Sequence, residues 1–194
     1  MPRPDETVRT FIAVEIPAEV KAGMRDVQAE LRKSGADVGW VRADGIHLTL
    51  KFLGGIEAGR VSNIAAGLAD ALRDTGPFTL TAAGTGVFPN LRSPRVVWLG
   101  VHGDLGALQA VYEAVVSVCE GFGFEREDRA FSPHLTLGRV KSHKGVAALS
   151  QLIKQYEDFE AGSFIASSVS VMKSELKPSG AVYTEMARIQ LKGE

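Results

Sequence analysis

The chain has 194 residues, 45% of them hydrophobic and 23% charged, and a formal net charge of −1 at pH 7. That balance belongs to a folded globular protein and argues against disorder; the near-zero charge argues against a basic face that coats long nucleic acid. No apolar run has the length of a membrane span, and Met1 to Thr10 is too polar for a secretory signal, so a cytoplasmic monomer is expected.

In chain order, Arg9 to Ile16 reads as a first strand. Pro17 suits the first turn of a helix on which Val20, Met24, Val27 and Leu31 fall at helical spacing, and Gly35 to Gly39 breaks it. Trp40-Val41-Arg42 reads as a short strand, turned at Asp44-Gly45 into a strand from His47 to Leu53 that Gly54-Gly55 ends. A helix follows from about Glu57 to Arg73, with Val61, Ile64, Leu68 and Leu72 on one face, and then a strand from Phe78 to about Phe88.

The pattern then starts again. Arg95 to Val101 is a strand, and Asp104 is a good N-cap for a helix carrying Leu105, Leu108, Tyr112, Val115 and Cys119. Cys119 reads as a buried helix residue; it has no partner for a disulfide or a cysteine zinc site. Phe131 to Val140 is the next strand, and Ser142 caps a helix bearing Leu149, Leu152, Ile153 and Tyr156. Phe164 to Lys173 is a strand, and Pro178-Ser179-Gly180 turns the chain into a last strand near Val182 to Leu191.

The middle strand of each half carries the same four residues, His47-Leu48-Thr49-Leu50 and His134-Leu135-Thr136-Leu137. Arg9 to Arg95, His47 to His134 and Phe78 to Phe164 are separated by 86, 87 and 86 residues, the mark of an internal duplication of about 8–90 and 94–192. The fold class expected is α+β: residues 1–194 form a single duplicated, bilobal domain. Two antiparallel-rich sheets face a central cleft, with helices outside. Strand alternation turns His and Thr of each motif to one face and the leucines to the other, so the two histidines would meet across the cleft.

Paired imidazoles suit chemistry at phosphorus. Histidine titrates near pH 6.5, so one ring can act as base while its partner acts as acid. In-line attack needs these on opposite sides of the phosphorus, and the Thr49 and Thr136 hydroxyls can donate to the oxygens between them. Arg139 is the obvious guanidinium; strict alternation turns it away from His134, while a bulge permitted by Gly138 would bring it back. Lys51 has the parity of His47 and Thr49, but a solvated strand-end lysine is the blander account. Trp40, Phe52, Phe88 and Trp98 read as core, Phe52 above all because it shares parity with the leucines; base stacking at the cleft mouth is the other reading. His102 and His143 read as surface residues. No metal-ligand spacing surrounds either motif, and neither a nucleophile elbow nor a phosphate loop occurs, so neither metal nor cofactor is expected.

The doubled motif resembles the two-histidine phosphoesterases. Further segments resemble their bacterial and archaeal branch, the RNA 2′,3′-cyclic phosphodiesterases or 2′-5′ RNA ligase family. These are Arg9-Thr-Phe-Ile-Ala-Val, Trp40-Val41 before His47-Leu-Thr-Leu-Lys-Phe-Leu-Gly54, Gly86-Val-Phe-Pro89 with Arg95-Val-Val-Trp-Leu-Gly100, His134-Leu-Thr-Leu-Gly-Arg139 and Ser174 to Gly180. The resemblance implies metal-independent hydrolysis of RNA 2′,3′-cyclic phosphate ends, or of small nucleotides bearing that group, to 2′-phosphomonoesters. It implies His47 as general acid, His134 as general base, and Thr49, Thr136 and Arg139 as phosphate ligands, with weak reversible 2′-5′ joining of ends. A phosphodiesterase for another nucleotide, such as a 2′-5′ oligonucleotide, and a nucleotide- or RNA-binding module without turnover are the rival readings; a metal-dependent hydrolase is a third.

Overall fold

The computed structural model describes residue 3, residues 5–178 and residues 180–193; Ser179 of the expected turn lies outside them. Local periodicity is honoured in the helices. Val20, Met24, Val27 and Leu31 are all buried on one face of α1 (Ala18–Arg32), which Pro17 leads in with a φ of −69°. Val61, Ile64 and Leu68 do the same on α2 (Arg60–Ala71). The Asp104 carboxylate accepts the Ala107 N–H at 2.9 Å and caps α3 (Leu105–Gly121), in which Cys119 is buried. Asp104→Ala is expected to cost about 1 kcal/mol in a urea unfolding titration, with Asp104→Asn retaining most of it; equal stability of all three proteins would show the cap to be idle. The fourth helix, α4 (Val146–Gln155), starts from Gly145 and not from Ser142, whose hydroxyl accepts from Lys144 N–H just ahead of it.

Among the described residues nine strands form: β1 (Thr7–Glu15), β2 (Val38–Trp40), β3 (His47–Glu57), β4 (Phe78–Phe88), β5 (Val96–Gly103), β6 (His134–Val140), β7 (Glu160–Ala166), β8 (Ser168–Lys177) and β9 (Gly180–Gln190). A 3-10 turn at Ala43–Gly45 supplies the reversal before β3. Gly54 and Gly55 do not end β3. Gly54, at a φ of +70° that favours glycine, pairs with Thr10 and lets the strand continue to Glu57. The helix after it accordingly begins at Arg60, three residues later than the periodicity suggests.

Two sheets form, in the orders β3-β1-β8-β9 and β2-β6-β5-β4-β7, with every pairing antiparallel. Each sheet joins a motif strand to the strand that opens its own half, β3 to β1 and β6 to β5. The next place is then filled from the other half: β8 beside β1, and β4 beside β5. Neither half therefore completes its own sheet. The run from Phe164 to Lys173 is one apolar stretch in sequence but two strands in space. Phe164 and Ala166 are buried beside β4, the chain crosses over at Ser167, and Val169 and Val171 are buried between β1 and β9.

The core lies between sheets and helices. Leu48, Leu50, Leu135 and Leu137 all enter it, so the buried side of both motifs shares one cluster. The Gln28 amide, on α1, donates to the Val41 and Leu137 carbonyls at 2.8 Å each, tying that helix to β6. No helix among the described residues is long and apolar enough to cross a membrane.

Candidate active site

In an antiparallel pair, residues directly opposite one another project from the same face of the sheet. Along β3, His47 faces Glu15 and Thr49 faces Ala13, but Lys51 faces Ile12 and Phe52 faces Phe11. Leu50 is the extra residue of a bulge, and beyond it the alternation is inverted. Along β6, His134 faces Gly100 and Thr136 faces Trp98, while Gly138 faces Val97 and Arg139 faces Val96. Here Leu137 is the extra residue. Both motif strands thus bulge at the fourth motif position.

Three side chains change sides as a result. Arg139 returns to the face of His134 and Thr136, where it is exposed. Lys51 leaves the face of His47 for the core, only 4% exposed; its ammonium donates to the Glu125 carbonyl at 2.7 Å and lies 3.5 Å from the Glu127 carboxylate. It lends no charge to the cleft. Phe52, expected in the core, stands instead on the face of His47 with 59% of its surface exposed.

His47 opens β3 in an aromatic nest. Its ring stacks on Phe11 at 5.0 Å between centroids and meets Tyr183 edge-on at 4.6 Å. Burial, and then the Lys21 ammonium, lower its pKa to about 4, so the free protein holds this ring neutral at pH 7. Its Nε2 is buried and has no hydrogen-bond partner among the described residues. Tyr183 carries no signal in the sequence beyond alternation. It reaches His47 because β9 is joined to β1 through β8.

His134 opens β6 differently. Its Nδ1 lies 2.7 Å from the Ser132 carbonyl. A carbonyl only accepts, so Nδ1 carries the hydrogen and the lone pair of the neutral ring sits on Nε2. Phe88 meets this ring edge-on at 5.0 Å, and Trp98 packs on Phe88 at 5.1 Å. Trp98 can lie there because residue 86 is glycine: a Cβ at that position would overlap the indole. Trp40 faces away, opposite Gly138, with the Arg32 guanidinium 5.1 Å over its ring. His102 and His143 are exposed.

The two strands come from different sheets and lie next to each other. One presents His47, Thr49 and Phe52, the other His134, Thr136 and Arg139, with both threonines half-buried. Among the described residues no three His, Cys, Asp or Glu side chains gather closely enough to hold a metal ion.

Residues 14–98 and 103–183 both match the family model described as LigT like phosphoesterase. The chain belongs to the LigT-like phosphoesterase family. An RNA 2′,3′-cyclic phosphodiesterase of Methanothermobacter thermautotrophicus is 36% identical to it, across 95% of this chain and 99% of that one. One from Thermotoga maritima is 34% identical, across 96% and 97%. Among solved structures, TT0787 of Thermus thermophilus superposes with a TM-score of 0.79 at 29% identity, and E. coli LigT complexed with 3′-AMP with 0.75 at 29%. Each alignment covers 96% of this chain and 99% of the other. The α+β architecture of two antiparallel sheets is thus the fold of LigT-like phosphoesterases.

Proposed function

We propose that this LigT-like phosphoesterase hydrolyses 2′,3′-cyclic phosphates, on RNA ends or small nucleotides, to 2′-phosphomonoesters. The observation that carries the reading is the matched pair of His-x-Thr strands, each bulged at its fourth residue so that Arg139 joins the histidine face. The names of the relatives support the substrate class.

In this reading His134 is the general base. Its Nε2 lone pair takes a proton from water as the oxygen attacks phosphorus, while the Nδ1–H bond to Ser132 holds the ring in that tautomer. His47 is the general acid. It protonates the leaving 3′-oxygen, the P–O3′ bond breaks, and the phosphate stays on the 2′-oxygen. The free protein holds His47 neutral, so this ring takes up its proton as the anionic substrate arrives beside it. The unpartnered Nε2 of His47 then gains the partner that its burial calls for. Thr49 and Thr136 hydroxyls donate to the non-bridging oxygens, and the Arg139 guanidinium balances their charge. With a 5′-hydroxyl in place of water as the nucleophile, the same steps would join ends weakly through a 2′-5′ linkage as the P–O3′ bond breaks. We read the chain as one duplicated domain, monomeric and cytoplasmic, working without a metal.

The test is incubation with a nucleoside 2′,3′-cyclic phosphate in excess EDTA, with the products resolved. The 2′-monophosphate is expected. The 3′-monophosphate, or no product from nucleotide or short RNA, would overturn the assignment.

A further inference from the structure

We propose that the sheet face beyond His134 is an acceptor site, where His102, Thr81 and Ser163 hold the first phosphodiester of an RNA strand whose 5′-hydroxyl replaces water. This rests on the function proposed above and assigns the nucleophile's side of the same site.

In-line displacement puts the leaving 3′-oxygen on the side of His47 and the entering oxygen on the side of His134. Water needs no further room there. An alcohol brings its ribose with it, and that ribose must lie on the sheet of His134, over the strands that follow β6 in the order β5, β4 and β7.

Residues directly opposite one another share a face. His134 is opposite Gly100, and Gly100 is opposite Ala83, so the floor next to His134 carries nothing larger than a methyl group. A Cβ at residue 100 would stand 2.7 Å from the Ala83 carbonyl, so glycine keeps this floor at the level of the backbone. The next row of the same face is polar: His102 is opposite Thr81, and Thr81 is opposite Ser163. The Thr81 and Ser163 hydroxyls lie 2.8 Å apart, so one hydrogen bridges them and the other is free to donate outward.

A single exposed histidine is ordinary on a protein surface; the placement of His102 is not. It stands one strand across and two residues along from His134, about 8 Å between backbones, which is about the span of one ribose from its 5′-oxygen to its 3′-phosphate. The exposed ring leans back toward His134, its Nε2 only 3.3 Å from where a Cβ of Gly100 would be. An imidazole N–H and a hydroxyl converging in one row suit a phosphodiester oxygen. The rest of the face suits it less. Phe88 and Trp98 pack on each other, and the exposed Glu160, opposite Ala83, would repel a phosphate from the row of Gly100.

The step balances without a further reactant. His134 Nε2 takes the proton of the 5′-hydroxyl and the O5′–P bond forms. The P–O3′ bond breaks, His47 protonates the 3′-oxygen, and a 2′-5′ phosphodiester remains.

The experiment supplies adenosine 2′,3′-cyclic phosphate with either cytidine or cytidine 3′-monophosphate as acceptor, and reads the ratio of 2′-5′-joined product to adenosine 2′-monophosphate. The ratio is internal to each reaction, so a partly folded variant does not change it. Wild type should join the 3′-phosphorylated acceptor in preference to cytidine. His102→Ala should lower that preference by about 10- to 100-fold, with Thr81→Val lowering it too, while hydrolysis without acceptor stays as in wild type. His102→Lys, which keeps a donor of positive charge, should retain the preference. Binding of cytidine 3′-monophosphate in saturating adenosine 2′-monophosphate, measured by calorimetry, should depend on His102 in the same way. The site is overturned if wild type treats the two acceptors alike, if His102→Ala keeps the preference, or if hydrolysis and joining fall together. The two readings separate. Binding that depends on His102 without turnover would retain the acceptor site and sink the hydrolase, while hydrolysis with joining indifferent to His102 would do the reverse.

Discussion

Replacing His134 by Ala should lower kcat/KM on a nucleoside 2′,3′-cyclic phosphate by about 10² to 10⁴-fold, and replacing His47 by Gln should cost a similar factor. Each substitution removes one end of a proton path: without Nε2 of His134 water attacks undeprotonated, and without His47 the 3′-oxygen leaves as an alkoxide. Glutamine is the better choice at 47, because it keeps the Phe11 and Tyr183 contacts partly filled. At 134 alanine suffices, since the ring's one hydrogen bond is local, to Ser132. The two rings act on one transition state, so the double variant should fall little below the worse single one. Wild-type kinetics in either single variant, with folding checked by circular dichroism, would remove the paired mechanism.

Acid should unfold this protein partly through His47. Burial and the Lys21 ammonium hold its pKa at about 4 in the folded chain, against the ordinary histidine value of 6.5 that the unfolded chain keeps. Between those values the unfolded state binds a proton that the folded state refuses. Stability is therefore whole above about pH 6.5, declines as pH falls, and has lost on the order of 3 kcal/mol below about pH 4. Urea midpoints of wild type and His47→Gln at pH 7.5, 5.5 and 4 measure this directly. Wild type should lose more than the variant by that amount, and parallel losses would show that residue 47 does not titrate this way. Because kcat/KM reports the free enzyme and the general acid must carry its proton, His47 should contribute the alkaline limb of the profile, its factor in kcat/KM falling as pH rises past about 4.

Much of the site was legible in the residues. Val20, Met24, Val27 and Leu31 announce a helix face, Asp104 announces a cap, and the alternation within each His-Leu-Thr-Leu run correctly turns His and Thr from the core. These are regularities of one to three turns or a few strand residues, fixed by backbone geometry that every chain shares.

Alternation failed where it was carried past the fourth motif residue. It sent Lys51 to the cleft and Phe52 to the core; the structure does the opposite. It left Arg139 undecided, and the structure turns it to His134. A bulge is a mismatch between two strands, so β3 and β6 could not reveal theirs without the registers of β1 and β5. The crossing at Ser167 and the exchange of β4 and β8 between halves are likewise choices among partners far apart in sequence. By itself the sequence determined the helices, the two motifs and the chemistry of their side chains. Which side chain stands beside each histidine was decided by strand pairing, because one unpaired residue reverses every face that follows it.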